Sequence, residues 1–193
     1  MLKCRVAGVG HLGQSLPRIY SELDGCELVD VFDVNEDRSH KIADKYKCAV
    51  FGSIEELGNH CDCVSVVTPT DRHAEVAIPL IKCDCHLLIE KPLTSTAADA
   101  ERNMQAAAGR DKILQVGLIE HYNPVFKFLE STVVSPKFIT SQRLASFNVR
   151  GTEVGVVIDH MIHDIGEILK LFKSKVASID AVGINVFSKN DID

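Results

Sequence analysis

Residues 3–20 read KCRVAGVGHLGQSLPRIY, and this stretch decides the fold. It opens on a short apolar run, Val6-Ala7-Gly8-Val9, of the kind that forms a buried parallel strand. It turns through Gly8-Val9-Gly10-His11-Leu12-Gly13 and continues with Leu12, Leu16 and Ile19 at helical spacing. The pattern is G-x-G-x-x-G between a strand and a helix. Gly8 permits the tight turn, Gly10 lets a pyrophosphate approach the backbone, and Gly13 lets the helix pack closely on the strand. The free N–H groups of that helix start would face the phosphates. A second strand, residues 27–32, ends at Asp33, about 20 residues beyond Gly13, where the fingerprint requires a carboxylate for the adenosine ribose. A glycine turn that merely packs a helix on a strand leaves the position of Asp33 unexplained. The stretch therefore predicts a dinucleotide site containing Gly8, Gly10, His11, Leu12, Gly13 and Asp33.

Composition narrows the partners. The chain has 193 residues, enough for one or two domains, and 46% of them are hydrophobic. The net charge is −6 and no basic run occurs, so neither nucleic acid nor an anionic membrane is expected as a partner. No apolar segment has membrane length and no secretion signal is visible, so the seven cysteines are expected to be reduced thiols in a cytoplasmic protein. Two C-x-C pairs, Cys61/Cys63 and Cys83/Cys85, with His86 beside the second, raise the question of zinc. Their spacing is not a usual metal pattern. The preferred reading puts Cys63 in the core as a small apolar residue and the others near strand ends, with no metal.

Strands and helices alternate through residue 117. Residues 35–46 read as a helix opened by Asn35, with acids in its first turn. A short strand at 48–51 and a brief helix at 54–57 follow. The β-branched run 63–67 is a buried strand, and Thr70 is placed to cap a helix over 71–82. Residues 86–89 form the fifth strand. A helix then starts at Ser95 or Thr96 and ends at Gly109, and residues 113–117 give a sixth strand. This order predicts an α/β fold, a doubly wound parallel sheet of Rossmann type over residues 1–119. Ligands of such sheets bind beyond the carboxyl ends of the strands. That rim collects Gly8 to Gly13, Asp33, Thr68-Pro69-Thr70, Glu90-Lys91-Pro92 and the segment after residue 117.

The pattern changes after residue 123. A helix at 124–130, a long partly alternating strand at 137–147, a helix at 159–172 and another long strand at 176–187 predict a second, incomplete α+β domain over 120–193. Its sheet is expected to be mainly antiparallel. Two strands leave an unpaired edge, and Val182, Ile184 and Val186 give one face something to bury, so a homo-oligomer through this sheet is expected.

Three groups carry chemistry beyond the dinucleotide. Lys91 stands at a strand's carboxyl end, and Pro92 keeps it out of helix. Asp159 and His163 are four apart in a helical pattern, so one face presents both, and a carboxylate can orient an imidazole and support its protonated form. The same spacing also suits a metal pair or a surface salt bridge. Glu120-His121-Tyr122-Asn123 supplies polar groups at the junction between the two predicted domains.

GVGHLG with Asp33, VVTPTDRH, EKPL, GLIEHYNP and D-x-x-x-H together resemble the Gfo/Idh/MocA family of sugar-type dehydrogenases, over essentially the whole chain. The resemblance implies a nicotinamide-dependent oxidoreductase with a Rossmann domain and a sheet-rich substrate domain. It implies that Lys91 is the lysine of the family's E-K-P motif, Asp159 its substrate-binding acid and His163 its general acid/base. Thr68, Pro69, Thr70 and His73 match its nucleotide-contact segment, to which Glu90 and Lys91 are added. Glu120, Tyr122, Asn123 and Arg150 join Asp159 and His163 as implied substrate contacts. The family often has paired glycines before the acid, whereas this chain has Gly155-Val156-Val157-Ile158-Asp159. The stretch FNVRGTEVGVVIDHMIHDI, residues 147–165, resembles the branch acting on UDP-N-acetylglucosamine-type sugars.

The resulting expectation is an NAD-dependent oxidation of a secondary hydroxyl on a sugar or sugar nucleotide. His163 would be the base and Lys91 would stabilise developing negative charge. NAD is expected over NADP because Asp33 would repel a 2′-phosphate, and the first arginine beyond it, Arg38, lies inside a helix pattern. The other reading is a dinucleotide-binding module without turnover, a redox sensor or a shortened relic. Members of the family usually run on for a further hundred or so residues, so the chain is expected to be a fragment or a shortened form.

Overall fold

A computed structural model describes residues 1–58, 61–144, 155–186 and 192 of the chain. It folds as two compact units, Met1–Gly117 and Leu118–Asp193.

The first unit is built on six parallel strands: β1 (Leu2–Ala7), β2 (Cys26–Phe32), β3 (Ala49–Val50), β4 (Cys63–Val66), β5 (His86–Glu90) and β6 (Leu114–Gly117). Their order in the sheet is β3-β2-β1-β4-β5-β6. Two series of strands thus run outward from β1 in opposite directions, the doubly wound order that leaves a crevice beside β1 and β4. Helices cover both faces, which is why the strands are mainly apolar. On one face α1 (Leu16–Glu22) and α2 (Glu36–Tyr46) pack Leu16, Tyr20, Ile42 and Ala43 against Val6 and Val31. On the other, α4 (His73–Lys82) and α5 (Ala97–Ala108) bring Ala77, Leu80, Ile81 and Ala107 onto Val64, Val66, Leu87 and Ile89. The short α3 (Ile54–Gly58) adds Ile54 to that second cluster.

Local chemistry fixes the helix ends. Asn35 accepts the Arg38 N–H, and Thr96 accepts the Asp99 N–H, so each satisfies an orphan donor at its helix start. Two starts differ from expectation. Residues 13–15 form a tight 3₁₀ turn, and α1 begins only at Leu16, with Pro17 in its first turn. Likewise Thr70–Arg72 is a 3₁₀ turn and α4 starts at His73, so Thr70 is not the cap.

A charged pair is sealed inside this unit. Arg5 and Asp30 face each other across β1 and β2, with Nε 2.8 Å from Oδ2 and both side chains nearly inaccessible. The Arg5 guanidinium also donates to the Glu56 carbonyl oxygen (3.3 Å) and lies 4.7 Å from the centre of the Phe51 ring. Burial pushes Asp30 up to about 7, against the opposing pull of Arg5.

The cysteines lie near the amino ends of the strands, and Cys63, expected in the core, is only half-buried. Cys4 and Cys85 are buried, and the Cys63 thiol donates to Cys4 Sγ at 3.3 Å. Burial pushes the Cys4 thiol well above its ordinary range. The described residues contain no group of three or more side chains arranged to hold a metal ion. None of their helices is long and apolar enough to cross a membrane.

The second unit contains α6 (Pro124–Thr132) and α7 (Ile162–Phe172), the latter preceded by a π-helical turn, Val157–Met161. The predicted antiparallel sheet is corrected here: residues 137–144 and 176–186 form no strand. Residues 145–147 and 187 of the two predicted strands lie outside the described residues, as does Arg150. Val182, Ile184 and Val186 alternate with Gly183 and Asn185, yet all three are exposed, because no partner strand among the described residues gives the alternation a surface to pack on. The expected association through a second-domain sheet therefore loses its sheet.

Candidate functional site

The glycine turn leaves β1 at Ala7. Gly8 adopts φ +94°, and a Cβ there would stand 2.5 Å from the Val67 carbonyl oxygen. A Cβ on Gly13 would overlap the Gly8 carbonyl oxygen. These two glycines are packing necessities. Gly10 differs: a Cβ there would meet only Arg38 Nη1, at 3.6 Å. The backbone at Gly10 is thus open on the side where a dinucleotide would pass, as the fingerprint requires. His11 and Leu12 are exposed on the same turn.

Asp33 closes the turn from β2. It is 8% exposed, and both oxygens are held by backbone donors. The Val9 N–H donates to Oδ2 and the Asn35 N–H to Oδ1, each at 2.9 Å. Arg38, which follows Asn35 in the first turn of α2, places Nη1 3.3 Å from Oδ1 and 3.2 Å from Oδ2. Arg38 was passed over in the sequence because it lies within a helix. Its five-residue offset from Asp33, across a capped helix start, was the signal that could have found it.

The ends of β4 and β5 are tied together by one imidazole. His73, the first residue of α4, is 1% exposed. Its Nε2 lies 2.9 Å from the Thr68 carbonyl oxygen, and its Nδ1 lies 2.9 Å from the Pro92 and 3.2 Å from the Leu93 carbonyl oxygens. The His73 ring thus lies between the two rim segments, Thr68-Pro69-Thr70 and Glu90-Lys91-Pro92, and in its neutral form its one N–H donates to a carbonyl of one of them. The Lys91–Pro92 peptide is cis, and Lys91 is half-buried beside it. Thr68 Oγ1 is buried with no hydrogen-bond partner among the described residues. The Glu90 carboxyl lies over Gly117 on β6, where a Cβ would come within 3.0 Å of it.

The remaining predicted residues belong to the second unit. Ile119, Glu120, Tyr122, Asn123 and Pro124 line a shallow open depression. Asn123 is largely engaged in structure: its Oδ1 caps α6 through the Val125 N–H, and its Nδ2 donates to Glu120 Oε2. Asp159 falls in the π-helical turn, with Oδ2 3.5 Å from His160 Nε2, and His163 falls in the first turn of α7. His121 stacks on Phe126, and burial with Lys170 nearby pulls its pKa down. Sequence reasoning missed Asp164. It accepts from Ser141 Oγ and from Arg143 Nε, both at 2.6 Å, and the Arg143 bond holds its carboxyl below the usual range. Asp164 and Arg143 lie 21 residues apart, a separation that no helical or strand period reveals.

A parallel sheet in this order, with the open glycine turn and a buried carboxylate on one rim, defines a dinucleotide-binding α/β domain. The chain belongs to the Gfo/Idh/MocA oxidoreductase family, characterised by an NAD-binding Rossmann fold, whose model matches residues 2–118. It is 33% identical over 184 residues to UDP-N-acetylglucosamine 3-dehydrogenase of Acidithiobacillus ferrooxidans, covering 95% of this chain and 58% of that one. A solved structure of an enzyme of that name and organism superposes with a TM-score of 0.89, at 32% identity, over 97% of this chain and 62% of that one. Inositol 2-dehydrogenase of Salmonella typhimurium is 29% identical over 140 residues, covering 69% of this chain and 42% of that one. The chain thus spans about 60% of the length of the first of these relatives.

Proposed function

We propose that the chain belongs to an NAD-preferring dehydrogenase that oxidises a secondary hydroxyl of a sugar or sugar nucleotide, of the UDP-N-acetylglucosamine type. The observation that carries this reading is the rim: an open Gly10 backbone beside an Asp33 carboxylate that two backbone N–H groups hold in place. A nicotinamide dinucleotide bound there would supply the hydride-transfer chemistry. Gly8 to Gly13 and Asp33 would hold it, with Thr68, Pro69, Thr70 and Glu90 along the same rim and His73 supporting them from beneath. Lys91 would donate to the substrate oxygen and stabilise negative charge there. His163 would take the hydroxyl proton as general base, and Asp159 would hold the substrate beside it. Glu120, Tyr122, Asn123 and Arg150 would complete the substrate contacts. Similarity to a relative named for UDP-N-acetylglucosamine supports the sugar-nucleotide assignment.

The test is NAD reduction, followed by absorbance, against a panel of UDP-sugars and inositols. Reduction with a UDP-N-acetylhexosamine and not with the other substrates is the expected result. Binding of NAD with no reduction of it by any of these substrates would favour a binding module instead.

A further inference from the structure

The carboxylate that the ribose would use is already saturated. An ionised carboxylate offers about four acceptor positions. Here Oδ2 of Asp33 receives the Val9 N–H, Oδ1 receives the Asn35 N–H, and Arg38 Nη1 bridges both oxygens. The two backbone donors are part of the fold. Arg38 is the movable one, with 48% of its side chain exposed. Its guanidinium also stands nearest the open face of Gly10.

Resting on the dinucleotide reading of this rim, we propose that Arg38 is a selectivity-determining residue that admits NADP(H) beside NAD(H). A 2′-hydroxyl must displace Nη1 to reach Asp33, so Arg38 opposes the nucleotide that Asp33 favours. A 2′-phosphate gives the displaced guanidinium a charge-assisted fork partner, and the guanidinium offsets the carboxylate's repulsion. One residue thus weakens binding of the first nucleotide and strengthens binding of the second. The preference for NADH is accordingly narrow, within about tenfold.

The test is direct binding of NADH and of NADPH to the full chain, followed by nucleotide fluorescence. The wild-type chain should bind both. Arg38→Ala should weaken NADPH by tenfold or more while leaving NADH unchanged or tighter. Arg38→Lys, which keeps the charge and loses the fork, should fall between them. Raising the salt should weaken NADPH more than NADH in the wild type, and equally in Arg38→Ala. Unchanged NADPH affinity in Arg38→Ala, or equal losses for both nucleotides, would overturn the proposal and leave the dinucleotide site standing. A wild-type chain that binds neither nucleotide would overturn the site itself.

Discussion

Single residues on the rim divide into those that hold the backbone and those that would touch ligands. Gly8 and Gly13 hold it, through contacts that leave no room for a Cβ. Lys91 and His163 are the proposed reacting groups. Lys91→Ala and His163→Ala should each lower turnover by roughly 10²-fold or more, the scale of lost electrostatic or acid–base assistance. NADH affinity should survive His163→Ala, because His163 belongs to the second unit. Wild-type turnover in that variant would sink the assignment. The buried pair makes a separate prediction about pH. Burial raises Asp30 from 3.8 to about 7, so between these values the native state binds more protons at this site than the unfolded chain. Stability from this site is therefore greatest in acid and declines as pH rises toward 7. Arg5→Met removes the charge that opposes burial at Asp30, so its cost should be larger at pH 8 than at pH 5. At the higher pH it should reach about 3–5 kcal/mol, the range for stranding a buried charge. Urea unfolding of both proteins at the two pH values checks this, and an equal cost at both would refute it.

Whole elements show why half of the chain was legible. Parallel strands buried on both faces are mainly apolar, and such a run is visible without knowing the neighbours, as in Val64, Val66 and Val67 around β4. Helices α2 and α5 announced themselves through Asn35 and Thr96, whose side chains do cap them. The segments 137–147 and 176–187 carried only alternation, which becomes a strand when another strand supplies hydrogen bonds and a surface. His73 could be matched to a motif, but the sequence did not disclose that its ring joins two elements, since Thr68 and Pro92 lie 24 residues apart. If the ring holds the end of β5 near that of β4, His73→Leu should cost about 1–3 kcal/mol, the range for leaving one buried carbonyl unpaired. Hydrogen exchange should rise across residues 91–96 while the amides of β1 stay protected. Unchanged exchange in that loop would show that packing alone holds it.

The molecule as a whole joins a well-covered unit to one that leaves apolar surface in water. Val125 and Phe128 on α6, with Val134, Phe138 and Leu144 beyond it, are all more than half exposed. Such a surface favours association, so sedimentation velocity should show the chain self-associating, more strongly as concentration rises. A monomer at every concentration would argue that this surface is tolerated as it stands. The strand order of the first unit has a further consequence, which concerns time. Of the six strands of this sheet, β1 is synthesised before the others, yet it lies inside the sheet and pairs with β2 on one side and β4 on the other. Its second neighbour is synthesised some 60 residues later, and the Ala7 carbonyl at the base of the glycine turn waits for the N–H of Val67. At synthesis rates of about 5–20 residues per second, β1 spends several seconds with one edge bare. A nascent chain halted before residue 63 should therefore carry the complete glycine fingerprint and Asp33 and still fail to retain a nucleotide, whereas one extended past β6 should hold it.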